Sequence, residues 1–112
     1  MNFYIKQNAT LPKLYMEFVQ TGYDSNFWET HDIESATIVF SMEDSDCRKK
    51  IKCAPASLVY IENDGCGKYL VEFEFKAPHT AKKGKYVGTF EITVDGLVLI
   101  APIRNELSIH VL

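Results

Sequence analysis

A chain of 112 residues is long enough for one hydrophobic core and little more, so a single domain is read over 1–112. Hydrophobic residues make up 46% and charged residues 24%, with a net charge of -3. That composition excludes a disordered tract and argues against nucleic acid or an anionic membrane as partner, since both select a basic surface. The opening "MNFYIKQNAT" has no cationic start, apolar stretch and small-residue cleavage site, so no signal peptide is expected. No apolar run approaches the roughly 20 residues that span a bilayer. Three cysteines, Cys47, Cys53 and Cys66, are an odd number, which fits reduced thiols in a protein folded in a cytoplasm.

Along the chain, short alternating segments are separated by turn residues. Met1 to Lys6 reads as a first strand, stopped near Pro12, which lacks a backbone donor. Leu14, Met16 and Phe18 alternate with Lys13, Tyr15 and Glu17, the period of a half-buried strand. "TGYDSNFWETHD" (Thr21 to Asp32) is rich in turn formers and reads as a long loop. Ser35 to Met42 is a β-branched third strand. After the charged turn "SMEDSDCRKK", "IKCAPA" and "SLVYIEN" predict one bent strand or two short ones around Pro55.

Tyr69, Val71, Phe73 and Phe75 then line one face, opposed by Glu72, Glu74 and Lys76. "APHTAKKGK" reads as a loop, followed by a strand through Tyr86, Gly88, Phe90, Ile92 and Val94. Asp95-Gly96 between two apolar runs predicts a tight hairpin, because both residues accept positive φ. Leu107, Ile109 and Val111 close the chain in a last alternating strand. With seven or eight short strands and no helical period of ten residues, the expected fold is all-β: a single antiparallel β-sandwich, with a small barrel as the alternative.

Three stretches carry a likeness to a known family. "KQNATLP" (Lys6 to Pro12) pairs an opening strand with a Gln-x-x-Thr turn. "ATIVFSMED" (Ala36 to Asp44) is a β-branched strand ending in Phe-x-Met. "KYLVEFEFKAPHTAKKGKYVGTFEITVDG" (Lys68 to Gly96) runs from an alternating strand through Thr80, Gly84 and Tyr86 to a Phe-x-Ile strand. Together they resemble the immunoglobulin-like domains of tailed-phage virion proteins, similar to the N-terminal domain of siphophage upper baseplate proteins. The resemblance implies an immunoglobulin-like sandwich with a structural role and no catalytic residues. It implies a virion location, with synthesis in the host cytoplasm and other virion proteins and copies of the chain as partners. Members usually continue into a further domain, whereas this sequence stops at Leu112; an accessory subunit of tail, neck or baseplate is therefore expected, with head decoration as the alternative.

Chemistry-bearing residues are sparse. Cys47 and Cys53 lie too far apart for a paired zinc motif, and His31, His79 and His110 are scattered. Buried or half-buried thiols that behave as small hydrophobes are expected instead, with no metal and no cofactor. Cys53 or Cys66 with His79 lacks any local nucleophile signature. Glu72 and Glu74 share a face and suggest a carboxylate pair, against which stands a solvated outer face. "EDSD" lacks the glycine and distal glutamate of a calcium loop and reads as a charged turn. "RKKIK" reads as a solvated basic turn, or as a contact for an acidic neighbour. No catalytic residue is assigned, and no enzyme is expected.

Two features point to contacts. Tyr23, Phe27 and Trp28 sit in the long loop, where aromatics anchor a protein interface, stack on a glycan, or fold back onto the domain's own end. A carbohydrate-binding β-module is the function alternative they raise. The second feature is "LVLIAPI", apolar at every side chain from Leu97 to Ile103. As an edge strand, with Pro102 near its end, it would aim Leu97, Leu99 and Ala101 into the core and Val98 and Ile100 outward. An exposed pair of aliphatics beside an open strand edge calls for a cover. The expected cover is another subunit over Val98, Ile100 and Pro102; the alternative is the chain's own segment 1–12 or loop 21–34.

Overall fold

The computed structural model describes residues 1–17, 35–63, 66–102 and 106–112. They form eight strands: β1 (Asn2–Ile5), β2 (Leu14–Glu17), β3 (Thr37–Glu43), β4 (Lys49–Asn63), β5 (Cys66–Phe73), β6 (Gly84–Val94), β7 (Leu97–Ala101) and β8 (Leu107–Val111). A 3-10 turn spans Ala77–Thr80, and no helix among the described residues is long and apolar enough to cross a membrane. The fold is all-β. Phe18, expected to continue β2, lies outside the described residues.

All eight strands share one hydrogen-bonded sheet, in the order β1-β8-β6-β3-β4-β5-β2, with β7 paired to β6. The sheet curls almost into a barrel around one core. One pairing corrects the expectation of a wholly antiparallel sheet. β1 runs parallel to β8, with Phe3 opposite Ile109 and Ile5 opposite Val111. Parallel strands need a long connection between them, and here the connection is the rest of the domain.

The curl is made by β4. Of the two forms expected around Pro55, the chain takes the single bent strand. Residues up to Ala56 pair with β3, and residues from Ser57 onward pair with β5. Between the pairs Phe40–Ala54 and Met42–Ile51, β4 advances three residues while β3 advances two. The extra residue is a bulge, which bends its strand and deepens the local twist. It forms around Cys53, at φ 51°, whose N–H donates to the Ser41 hydroxyl at 3.0 Å.

Alternation places Ile38, Phe40 and Met42 of β3, Phe90 and Ile92 of β6, and Leu107, Ile109 and Val111 of β8 in the core. Leu14, Met16, Val71 and Phe73 meet them from the other end of the sheet. Phe40 lies at the centre, with ring centroids 4.5 Å from Phe73, 4.9 Å from Phe90 and 6.0 Å from Phe75. Polar ties fix the margins. The buried Thr80 hydroxyl donates to the Ala9 carbonyl at 2.8 Å, and the Tyr86 hydroxyl donates to the Lys82 carbonyl at 2.8 Å. On the outward side of β5, Leu70 is buried and Glu72 half-buried, so that face is less polar than the run of Glu72, Glu74 and Lys76 suggests.

Two glycines give direct tests. Asp95 and Gly96 have φ of 52° and 75°, the signs of the type I′ hairpin expected there. Gly96→Val forces a β-branched residue into the left-handed region and is expected to cost about 1–2 kcal/mol, read as a fall of several degrees in Tm. Gly88 faces the core, and a Cβ there would stand 2.8 Å from Phe40 Cε1 and 3.2 Å from Leu107 Cδ2. Gly88→Ala should cost about 1–3 kcal/mol by overpacking; a denaturation midpoint equal to the wild type would show that the Phe40 ring moves freely aside.

Candidate protein interface

The geometry of the closing hairpin follows from the length of β6. One edge of β6 pairs with β3 from Val87 to Thr93. Its other edge is shared, with β8 along Gly84–Gly88 and β7 along Phe90–Val94. β7 is thus the outer strand at this end of the sheet, with β6 as its only strand partner among the described residues.

Its side chains divide by alternation. Ala101 is fully buried beneath Phe90, and Leu99 is half-buried against the core. Leu97 follows the same direction but lies beyond the end of the core and is 61% exposed. Val98 and Ile100 point outward, 58% and 59% exposed. They stand opposite Thr93 and Glu91 of β6, which in turn stand opposite Thr37 and Val39 of β3. The result is a flat outer face of β-branched side chains with one carboxylate, Glu91. The half-buried Pro102 follows β7. Of the chain's own segments expected as cover, β1 lies along β8 and Gln7 and Asn8 bond to Leu112 and Thr80, while loop 21–34 lies outside the described residues. Tyr23, Phe27 and Trp28 fall outside the described residues.

The remaining candidate groups are tied into local structure. Cys47 and Cys53 are both exposed, which corrects the expectation of buried or half-buried thiols. Each occupies a positive-φ position in a turn or bulge, at 61° and 51°, and that backbone shape holds the side chain away from the core. Among the described residues no three of His, Cys, Asp and Glu converge on a common point. Asp44, inside "EDSD", accepts the N–H groups of Asp46 at 2.9 Å and Arg48 at 3.0 Å. The bond from the Arg48 amide, followed by that from Asp46, lowers its carboxyl below the ordinary value. Glu43 meets Lys49 at 3.5 Å across the same turn. This carboxylate cluster is occupied in closing a turn.

A cleft of about 400 Å³ opens where β4 leaves β5 for β3. Pro55, Ser57, Glu72, Glu74 and His79 are among its lining residues. A serine, a histidine and carboxylates in one cleft invite comparison with a hydrolytic triad, but their bonding is different. His79 Nδ1 accepts the Lys76 N–H at 3.0 Å, so the neutral ring carries its proton on Nε2 and has no free lone pair with which to deprotonate a serine. Among the described residues no hydrogen bond joins Ser57 to His79. Glu72 is held by Lys13 at 3.4 Å. Bonded in this way, His79 is not placed as the base of a Ser-His-Asp-type triad.

Burial, followed by the charges of Lys76 and Lys50, lowers the His79 pKa below its ordinary value. The folded chain therefore binds fewer protons at this site than the unfolded chain. Its stability is complete above the unfolded value of about 6.5 and falls as pH drops through that value toward the lower folded one. From pH 7 to 5 the wild type should lose more Tm than His79→Asn, whose amide oxygen can still accept the Lys76 N–H; parallel curves would show that this histidine does not couple folding to protons. No protein-family model matches this chain, and neither curated proteins nor solved structures give a match.

Proposed function

We propose that this chain is a non-enzymatic assembly subunit that docks onto other proteins through the outer face of its β6–β7 hairpin. The setting implied by its sequence resemblance is the tail, neck or baseplate of a phage virion. The observation that carries the docking reading is the exposure of Val98 and Ile100 on an outer strand. Burying each of these half-exposed aliphatics contributes roughly 1–2 kcal/mol, less than the cost of immobilising two proteins. Such a contact is weak alone and becomes effective when repeated by symmetry in a larger particle.

We further infer an immunoglobulin-like topology. In that fold strands B, E and D form one layer and C, F and G the other. Here β2-β5-β4 and β3-β6-β8 run as neighbours in those two orders. The Tyr86 hydroxyl, near the start of β6, bonds back to the Lys82 carbonyl, as the tyrosine corner of strand F does. Strand β7 is an addition within the F–G connection, and β4 runs unbroken where the two layers would otherwise separate. Domains of this kind present their strands and loops for binding, but the fold alone names no partner.

The test uses cells that produce the chain. Density-gradient purified virions are expected to contain it in stoichiometric amount by mass spectrometry. Val98→Asp is expected to be lost from them, while the isolated variant stays folded with a stability loss of about 1 kcal/mol or less. Virions free of the wild-type chain would overturn the phage setting. Val98→Asp incorporated at the wild-type level would overturn the hairpin as the docking face.

A further inference from the structure

We infer that the strand edge of β7, beyond its side-chain face, is the docking element, and that its occupant is the β7 edge of a second copy, paired antiparallel about a two-fold axis at Leu99. This rests on the assembly reading above and specifies its geometry.

The open edges of this sheet differ in their side chains. Natural sheets blunt exposed edges with charges, proline or bulges. The first half of β4, without a strand partner on its β5 side among the described residues, carries Lys49, Lys50 and Lys52, a bulge at Cys53, and Pro55. β2 is flanked by Pro12 and Lys13, and β1 by Lys6. From Leu97 to Ala101 β7 has no charge, proline or bulge, and Pro102 follows it directly. Ser57–Asn63 of β4 also lack a strand partner on their β3 side among the described residues, but they include Glu62 and the polar Ser57 and Asn63. β7 is the open edge among the described residues whose side chains are all apolar.

The backbone groups of β7 face outward in a fixed pattern. A two-residue turn makes its flanking pair, Val94 and Leu97, a hydrogen-bonded pair, and such pairs alternate along a hairpin. Leu97, Leu99 and Ala101 therefore spend their N–H and C=O on β6. Val98 and Ile100 direct theirs to the open edge. The same two residues present both free backbone groups and exposed side chains.

The strand's own sequence suits a second copy. "LVLIA" has a β-branched residue on either side of Leu99, Val98 and Ile100, and an apolar residue beyond each, Leu97 and Ala101. Antiparallel pairing centred there sets Val98 of one copy opposite Ile100 of the other, with two bonds in each of the two pairs. Both outward residues of both copies are then used, whereas a shifted register strands some of them. The strand carries no charge, so no like charges meet across the axis; the Glu91 carboxylates stand two strands further apart. The contact is isologous and small relative to a standard interface, so it should be a weak dimer in free solution.

Sedimentation equilibrium of the purified chain tests this. The wild type is expected to show a concentration-dependent dimer. Ile100→Pro removes an outward N–H without touching the β6 ladder, and by symmetry it deletes one bond from each copy, weakening the dimer roughly thirtyfold. Ile100→Thr keeps the N–H and the β-branch and should weaken it by less than about tenfold. In a background with Cys47, Cys53 and Cys66 replaced by serine, Leu99→Cys should oxidise to a disulfide-linked dimer, while Val98→Cys, placed opposite Ile100, should not. A wild-type chain that stays monomeric overturns the second copy as occupant. Equal losses for Ile100→Thr and Ile100→Pro, or a Val98→Cys dimer in place of the Leu99→Cys one, overturn edge pairing about Leu99. In either case loss of Val98→Asp from virions would leave the assembly reading standing, which separates the two failures.

Discussion

The ring of Phe40 holds this sheet in its curled form. It stacks on Phe73 at 4.5 Å and tilts against Phe90 at 4.9 Å, so β3 is clamped at once to its neighbour in the sheet and to β5 across the core. Aromatic contacts of this kind add to plain burial, and the Phe40–Phe73 contact joins strands that share no backbone bonds. Gly88 is the counterpart: only a residue without a side chain leaves space for that ring between β6 and Leu107. The bulge at Cys53 lets β4 turn the corner around the same centre. Ring, glycine and bulge are one device, because a flat β4 would carry β5 and Phe73 away from Phe40.

A core organised around one aromatic cluster also explains what is left outside. A chain of this size fills a single interior, and that interior is already occupied by β3, β5, β6 and β8. The far end of the β6–β7 hairpin extends past it, which is why Leu97 is exposed although it points the same way as the buried Ala101. Exposed aliphatics scattered singly need no explanation. Three within four residues, on a strand with an open edge, are a different matter, because surface and edge can be satisfied together by one added strand.

Much of this was legible in the sequence, for identifiable reasons. The hairpin was signalled by Asp95-Gly96 between apolar runs, and the inward faces of β2, β5 and β6 by strict alternation, both of which are local rules. The parallel pairing of β1 with β8 was not legible, since contacts more than a hundred residues apart leave no mark in either segment. Nor was the exposure of Cys47 and Cys53: cysteine is usually a buried small hydrophobe, but positive φ at both positions overrode that tendency. Leu70 shares the outward side of β5 with Glu72 and is nevertheless buried, a matter of packing that no local pattern carries. The outward set of β7 could be read because a continuous apolar run on an edge strand must show one of its faces.

The hairpin itself follows from a mismatch in length. β6 has eleven residues and β3 covers one edge for most of that span, but β8 reaches only from Gly84 to Gly88 on the other. The upper half of β6 would then expose the ladder groups of Phe90 to Val94, whose side chains include three of the buried residues of the fold. Backbone groups beside a core need partners. The Asp95-Gly96 turn supplies them at the lowest entropic cost by folding the next five residues back along the strand. This cures the open edge of β6 and creates another one strand further out, on a segment apolar enough to have followed its neighbour into the sheet. Apolarity that serves the core at Leu99 and Ala101 is carried on the same short strand as Val98 and Ile100, so completing the fold and preparing a contact are two consequences of one sequence pattern.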